Sequence, residues 1–224
     1  MPFLGLTIVL MILGGIAQNV VLSTFRKYAG MRPKRGLTGG QAARELLDYH
    51  GLDEVRIEEA KWGQLSDHYD PTERVLRLSP EVGPVSSIAA VGIAAHEAGH
   101  ALQHAEAYSP LMMRTSLART ISMGSRLVPF IFWGGFIISL VGFRQLGVPL
   151  AVLGMVLSIG MAGLSLVTLP VEFDASRRAK KLLYEHRIVD RQEMEGVNAV
   201  LNAAAWTYVV SALGAVLRVL VRRR

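Results

Sequence analysis

Long apolar runs recur along the chain, and the polar residues between them gather into one globular-looking part and several short connectors. The first run, PFLGLTIVLMILGGIAQNVVL, is uncharged over about twenty residues, enough for a helix to cross a hydrocarbon core of roughly 30 Å. It has neither a preceding Lys or Arg nor a small-residue cleavage pattern, so it reads as a retained transmembrane anchor over residues 3–25 and not as a cleaved signal. Two further runs, LVPFIFWGGFIISLVGF and LGVPLAVLGMVLSIGMAGLSLVTLP, are separated only by Arg144 and Gln145. They predict a transmembrane helical hairpin over residues 124–170, with Gly154, Gly160 and Gly163 allowing close helix contact. The last run, within residues 197–224, is flanked or interrupted by Asn198, Asn202 and Arg218, and is either a core-packed helix or a fourth span.

The polar part, residues 34–120, has ordinary globular patterning. LTGGQAARELLDYHG carries apolar residues at helical spacing, with Thr38 as N-cap and Gly51 as stop. VRIEEA and RVLRLS alternate as strands and predict a small β-hairpin around GQLSDHYDPTE. SSIAAVGIAAHEAGHALQHA starts at a serine pair that can cap a helix; its apolar run ends at Ala95, too short to span, so it predicts a core helix. Residues 171–196 turn polar again and read as a helix and connector. The expected fold class is therefore mainly α: an integral membrane protein with an N-terminal anchor, a transmembrane hairpin and a small mixed globular part.

Composition supports this picture. Hydrophobic residues make up 51% of the chain and the mean hydropathy is +0.34, both high for a soluble protein. The net charge of +6 comes from basic residues beside apolar runs, not from one basic region, which points to a membrane surface and away from nucleic acid. Arg26, Lys27, Arg32, Lys34 and Arg35, then Arg114, Arg119 and Arg126, then Arg177 to Lys181 fall on one side of the predicted spans, while the hairpin tip offers Arg144. The positive-inside rule makes that side cytoplasmic, and charge balance favours three spans, with a fourth crossing as the alternative.

Cysteine is absent, so any metal must be held by imidazole and carboxylate. The stretch AAHEAGHALQH supplies such groups, because His96-Glu97-Ala98-Gly99-His100 fits H-E-x-x-H. Residues four apart on a helix share a face, so His96 and His100 can converge on one ion, and Glu97 can take a proton from water and pass it to a leaving amine. His104 continues the register, but eight residues separate it from His96, about 12 Å along the axis and about 80° around it, so it is expected nearby and not on the ion. A third histidine of the metzincin kind is also missing, since Gln103 and Glu106 stand where that pattern has glycine and histidine. A third ligand must come from another element, and Glu172 and Asp174, just after Pro170, are the candidates.

With LTGGQAARELL, GQLSDHYDPTERVLRLS, HEAGHALQH, Tyr108-Ser109-Pro110-Leu111, TLPVEFDASRRA and AAAWTYV in this order, the chain resembles the YugP-like family of membrane-bound neutral zinc metallopeptidases. More distantly, Glu172 to Ala179 is similar to the E-x-x-A-(D/S)-x-x-A helix of HtpX-type proteases and CAAX prenyl endopeptidases, in which the glutamate ligates zinc. The resemblance implies a zincin-like catalytic part of gluzincin type, one Zn2+ per chain on His96, His100 and Glu172, and Glu97 as general base and acid. Its substrates would be peptides or proteins associated with the lipid bilayer. Ser176 stands where those distant relatives have aspartate, so an aspartate partner for a ligating histidine is not carried over to that position; Asp174 could compensate, and His104 is a further candidate around the ligands. RVLRLS is by resemblance an edge strand that pairs with substrate backbone. His68, Tyr69 and Tyr208 are types that can stabilise an oxyanion, with Arg177 and Arg178 as weaker candidates. The contrasting expectation is a membrane scaffold whose zinc is structural, with His104 or Asp174 closing a four-ligand sphere.

Overall fold

The computed structural model describes residues 2–60 and 66–220, and these form six α-helices and three short β-strands. Helix α1, Pro2–Ala29, contains the whole first apolar run and leaves Val9, Ile12, Ile16 and Val20 on its surface. Helix α2, Gly39–Tyr49, begins where Thr38 forms a capping box: its Oγ1 accepts from the Gln41 amide at 3.2 Å, and Gln41 Oε1 accepts from the Thr38 amide at 2.9 Å. It ends at His50, and Gly51 takes the left-handed conformation (φ +66) that a residue with a Cβ avoids.

Strands β1, Arg56–Glu59, β2, His68–Asp70, and β3, Val75–Leu78, make one sheet in the order β1-β3-β2. This corrects the expected hairpin between VRIEEA and RVLRLS, because β1 and β3 pair in parallel, Arg56 beside Val75 and Glu59 beside Leu78. Parallel neighbours need a crossover, and the chain between Glu59 and Val75 is long enough to supply one. The hairpin is instead β2 to β3, closed at Asp70-Pro71-Thr72-Glu73, where Asp70 Oδ1 accepts from the amides of Thr72 (2.8 Å) and Glu73 (3.1 Å). RVLRLS is consequently the central strand, flanked on both sides, and β2 is the edge nearest the next helix.

Helix α3, Ile88–Ala105, is capped by Ser87, whose Oγ accepts from the Ala90 amide at 3.1 Å. It is the core helix that its sequence predicts: Val91, Ala94, Ala95, Ala98 and Ala101 are buried against Leu46 and Leu47 of α2, Leu76 and Leu78 of β3, and further residues from the two last helices. Helices α4, Ser109–Leu140, and α5, Arg144–Glu185, form the predicted helical hairpin, turning at Gly142. Helix α5 runs without a break through Pro170 to Glu185, so the residues after the apolar run continue the same rod into the core, where Ala175, Ala179 and Leu183 are buried. Helix α6, Glu193–Leu220, packs against α1, α3 and α5, burying Val197, Val200 and Leu201. Its start is tied to the loop after α1, where Lys34 pairs with Asp190.

Among the described residues, Ser122–Leu140 of α4, α5, and Glu193–Gly214 of α6 are long and apolar enough to cross a membrane, judged by length and composition. These three include α6, the fourth-span alternative, and do not include α1, the expected anchor.

The contact that positions the two ends of the site is a close approach of α3 to α5. A Cβ at Gly99 would fall 2.7 Å from the carbonyl oxygen of Ala175 and 3.3 Å from its Cα, so only glycine lets the backbones meet. Gly99→Ala is therefore expected to force the two helices apart at a cost of about 1–3 kcal/mol. A lowered thermal unfolding temperature together with reduced zinc content would show it; an unchanged melt would refute it.

Candidate metal centre

His96 and His100 lie one turn apart on α3 and point the same way, their ring centroids 4.8 Å apart and nearly perpendicular. Glu172, on α5, meets them: its Oε2 is 3.2 Å from His96 Nε2 and 3.6 Å from His100 Nε2. All three residues are buried or half-buried, and their donor atoms lie within 4.8 Å of one another. Zinc bonds of about 2.0–2.1 Å in a tetrahedral array put donors about 3.3 Å apart, so this spacing suits one such ion.

The outward face of each imidazole decides whether its Nε2 is free to bind metal. His100 Nδ1 is 3.0 Å from Gln103 Oε1. The orientation of that amide is settled by its other end, since Gln103 Nε2 donates to the Val171 carbonyl and to Asp174 Oδ2, both at 2.9 Å. A carbonyl oxygen only accepts, so His100 carries a proton on Nδ1, and in its neutral form the ring turns a bare Nε2 to the cluster. His96 Nδ1 sits 3.0 Å from the Ser176 hydroxyl, which holds that ring in the matching orientation. Asp174 thus acts on His100 through Gln103, and is itself held by Arg178 at 2.6 Å and by Arg177. Neither the fully buried Gln103 nor Arg114 was singled out by motif reading as part of the site; a polar residue one turn past a ligand on the helix's buried face was the available signal for Gln103.

Arg114, near the start of α4, donates to Glu172 Oε1 at 2.7 Å. The carboxylate is therefore divided, one oxygen on the guanidinium and the other on the two imidazoles. Burial alone would push the His100 imidazole below its ordinary pKa, but the hydrogen bond to Glu172 and the charges of Glu97 and Glu172 outweigh it, and the ring holds a proton more tightly than usual. A dication in the same place competes with that proton.

Glu97 is buried beside the donors, and its Oε2 accepts from the Tyr69 amide of the edge strand β2 at 3.1 Å. Asp67 lies close by; burial pushes its carboxyl up despite hydrogen bonds from the Ser79 amide (2.7 Å) and hydroxyl. The Tyr69 hydroxyl is 2.9 Å from His104 Nδ1, and burial pushes the phenol up to about 12. Of the pair, it is the backbone of Tyr69 that meets Glu97, while His104 holds the ring and stands apart from the metal donors. His68 is exposed, with Nδ1 2.8 Å from the Ser66 carbonyl. Together with Tyr69, Arg114 and Thr115 it lines a polar cavity of about 360 Å³ on one side of the donors. Tyr208 of α6 lines this cavity and also a second one, of about 170 Å³ and mostly apolar, which shares Asp67, Glu97 and Glu172 with the first and adds His96.

This geometry coincides with what the chain is similar to. A family described as "putative neutral zinc metallopeptidase" matches residues 3–222. The chain belongs to that family. A relative from Bacillus subtilis (strain 168), described as "putative membrane protease YugP", is 42% identical over 213 residues, covering 95% of this chain and 91% of the relative. No solved structure matches. Membership of a zinc metallopeptidase family implies zinc, and the nitrogen-nitrogen-oxygen set of His96, His100 and Glu172 fits that ion in number and chemistry.

Replacing Gln103 by Leu removes the acceptor behind His100 and leaves Asp174 without its amide donor. Zinc affinity, measured by competition with a chromophoric chelator, is expected to fall by about 10–100-fold. An affinity equal to that of the unaltered protein would exclude the proposed role of the Gln103 bridge.

Proposed function

We propose that this chain is a membrane-embedded zinc endopeptidase of the gluzincin type that hydrolyses peptide bonds of membrane or membrane-proximal proteins at the cytoplasmic surface. The observation that carries the proposal is the convergence of His96, His100 and Glu172, with the Nδ1 of each imidazole occupied from behind and Glu97 buried alongside. One ion per chain suits this cluster, which among the described residues offers three donors and so leaves room for water and substrate. That count favours a peptidase over a scaffold with a closed, structural zinc. When bound, zinc supplies a Lewis acid that polarises the scissile carbonyl and acidifies the attacking water.

The chain's own groups do the rest. Glu97 receives the water proton and returns it to the leaving amine, and the Tyr69 amide fixes its carboxylate in reach of the reacting atoms. Arg114 holds one oxygen of Glu172 and keeps the other turned to the histidines. Tyr208, lining both cavities at the donors, is the best-placed of the three candidates for stabilising developing charge on the carbonyl oxygen. Edge strand β2, not the central RVLRLS, is the strand of this sheet beside the centre, and its Tyr69 amide is already engaged by Glu97.

Two variants test the chemistry on a denatured generic protein in detergent. Glu97→Gln is expected to lower the cleavage rate by about 10²–10⁴-fold with zinc retained, and Glu172→Ala to lose zinc and activity together. Full activity in the first, or full zinc content in the second, would sink the assignment.

The orientation is tested separately, and the absence of native cysteine makes this direct. A cysteine at Gln145, on the hairpin tip, is expected to react with a membrane-impermeant maleimide added outside intact cells, and one at Glu73, beside the site, to react only after permeabilisation. The opposite pattern would place the site on the other side.

A further inference from the structure

The two cavities that meet at the donor cluster differ in character, and that difference sets what a substrate gains on each side. The smaller, of about 170 Å³, has Asp67, His96, Glu97, Glu172 and Tyr208 at its inner end and is otherwise walled by Val21 and Phe25 of α1, Ile93 of α3, and Val200, Leu201 and Ala204 of α6. The larger is lined on its far side by groups such as Asp70, Thr72 and Arg114.

We propose that the apolar cavity is a specificity pocket that receives one large apolar side chain, of leucyl to phenyl size, from the residue adjoining the scissile bond. The proposal deepens the peptidase reading and rests on it. Because the pocket's inner wall is formed by the metal donors and Glu97, a side chain lodged in it belongs to a residue next to the bond being cut. Its size agrees, since an apolar protein cavity of about 150 Å³ binds a benzene ring. Ala204 and Ala205 keep the volume open, and a larger residue at either would fill it. The larger cavity gives no comparable return for an apolar group, because Asp70 and Arg114 would lose hydration when covered. The preference therefore falls on one side of the bond. It also depends on α1, which thereby contributes to substrate choice as well as to residence in the membrane.

The test uses full-length, zinc-loaded protein in detergent micelles and a series of peptide hydroxamates differing only in the side chain next to the zinc-binding group: glycyl, alanyl, leucyl and phenylalanyl. Calorimetric titration is expected to show the leucyl and phenylalanyl members binding about 10–100-fold more tightly than the glycyl one, as burial of one such side chain implies. Ala204→Phe should bring the leucyl to glycyl ratio near one. Phe25→Ala should move the optimum to a bulkier naphthyl side chain, which keeps the proposal testable where the first variant fails to fold. Equal affinities across the series, or a leucyl advantage that survives both substitutions, overturns the pocket while leaving the peptidase reading intact. A failure of every hydroxamate to bind protein that carries zinc overturns the peptidase reading itself, and the pocket with it.

Discussion

The close approach of α3 to α5 governs every distance at the centre. Gly99 lies against the Ala175 carbonyl, and the other pairs follow in opposite order along the two helices: Ser176 with His96, Glu172 with His96 and His100, Asp174 and Val171 with Gln103. This is an antiparallel crossing in which each turn of one helix serves one turn of the other. Glycine at the crossing point brings the axes near enough for a short carboxylate side chain to reach both imidazoles. The placement of Gly99 inside the metal-binding motif is thus a packing requirement as much as a local one.

The same crossing concentrates negative charge. Glu97, Glu172 and Asp174 are buried within a few turns of each other, with Asp67 close by, and burying several carboxylates together is costly unless each finds a partner. Partners are provided unevenly. Asp174 has Arg177, Arg178 and the Gln103 amide, and Glu172 has Arg114 for one oxygen only. Glu97 has a backbone amide. The balance left over is negative and centred on the two histidines, where a divalent cation is best accommodated. The charges of Glu97 and Glu172 raise the affinity of His100 for a proton above what burial alone would allow.

Patterns within single elements were legible from sequence: the Thr38 cap, the Gly51 stop, the Ser87-capped core helix and the turn near Gly142 all follow from local rules of helix ends and apolar spacing. Pairing between elements was less so. The alternation of VRIEEA and RVLRLS marks both as strands but does not say that they run parallel, nor that His68–Asp70, a three-residue strand embedded in turn-forming residues, completes the sheet as its edge. At the site, the H-E-x-x-H spacing locates two donors and a local register reaches Gln103 behind His100, whereas the Gln103–Asp174 and Arg114–Glu172 contacts span 71 and 58 residues of chain, where no local period can reveal them. Asp174 illustrates the limit well. It stands on the wrong face of α5 to touch the histidines, yet it is coupled to His100 because a glutamine from α3 spans the gap.

The long apolar helices also help to build the site. The turns at which α1 and α6 approach α3 carry Val21, Phe25, Val200 and Ala204, side chains apolar enough for lipid but turned to the cavity beside the zinc donors. Helix α4 delivers Arg114 to Glu172, so a helix that goes on to become one arm of the apolar hairpin also holds a carboxylate of the donor cluster. The mostly apolar cavity is thus walled by α1, α3 and α6, whereas the more polar one is walled by β2 and its turn together with α4. Displacing any of those helices would change the donor geometry or the cavity shape. This mechanical sharing accounts for why so small a globular part, resting on α2, α3 and a three-stranded sheet, can hold a buried, charged centre in place.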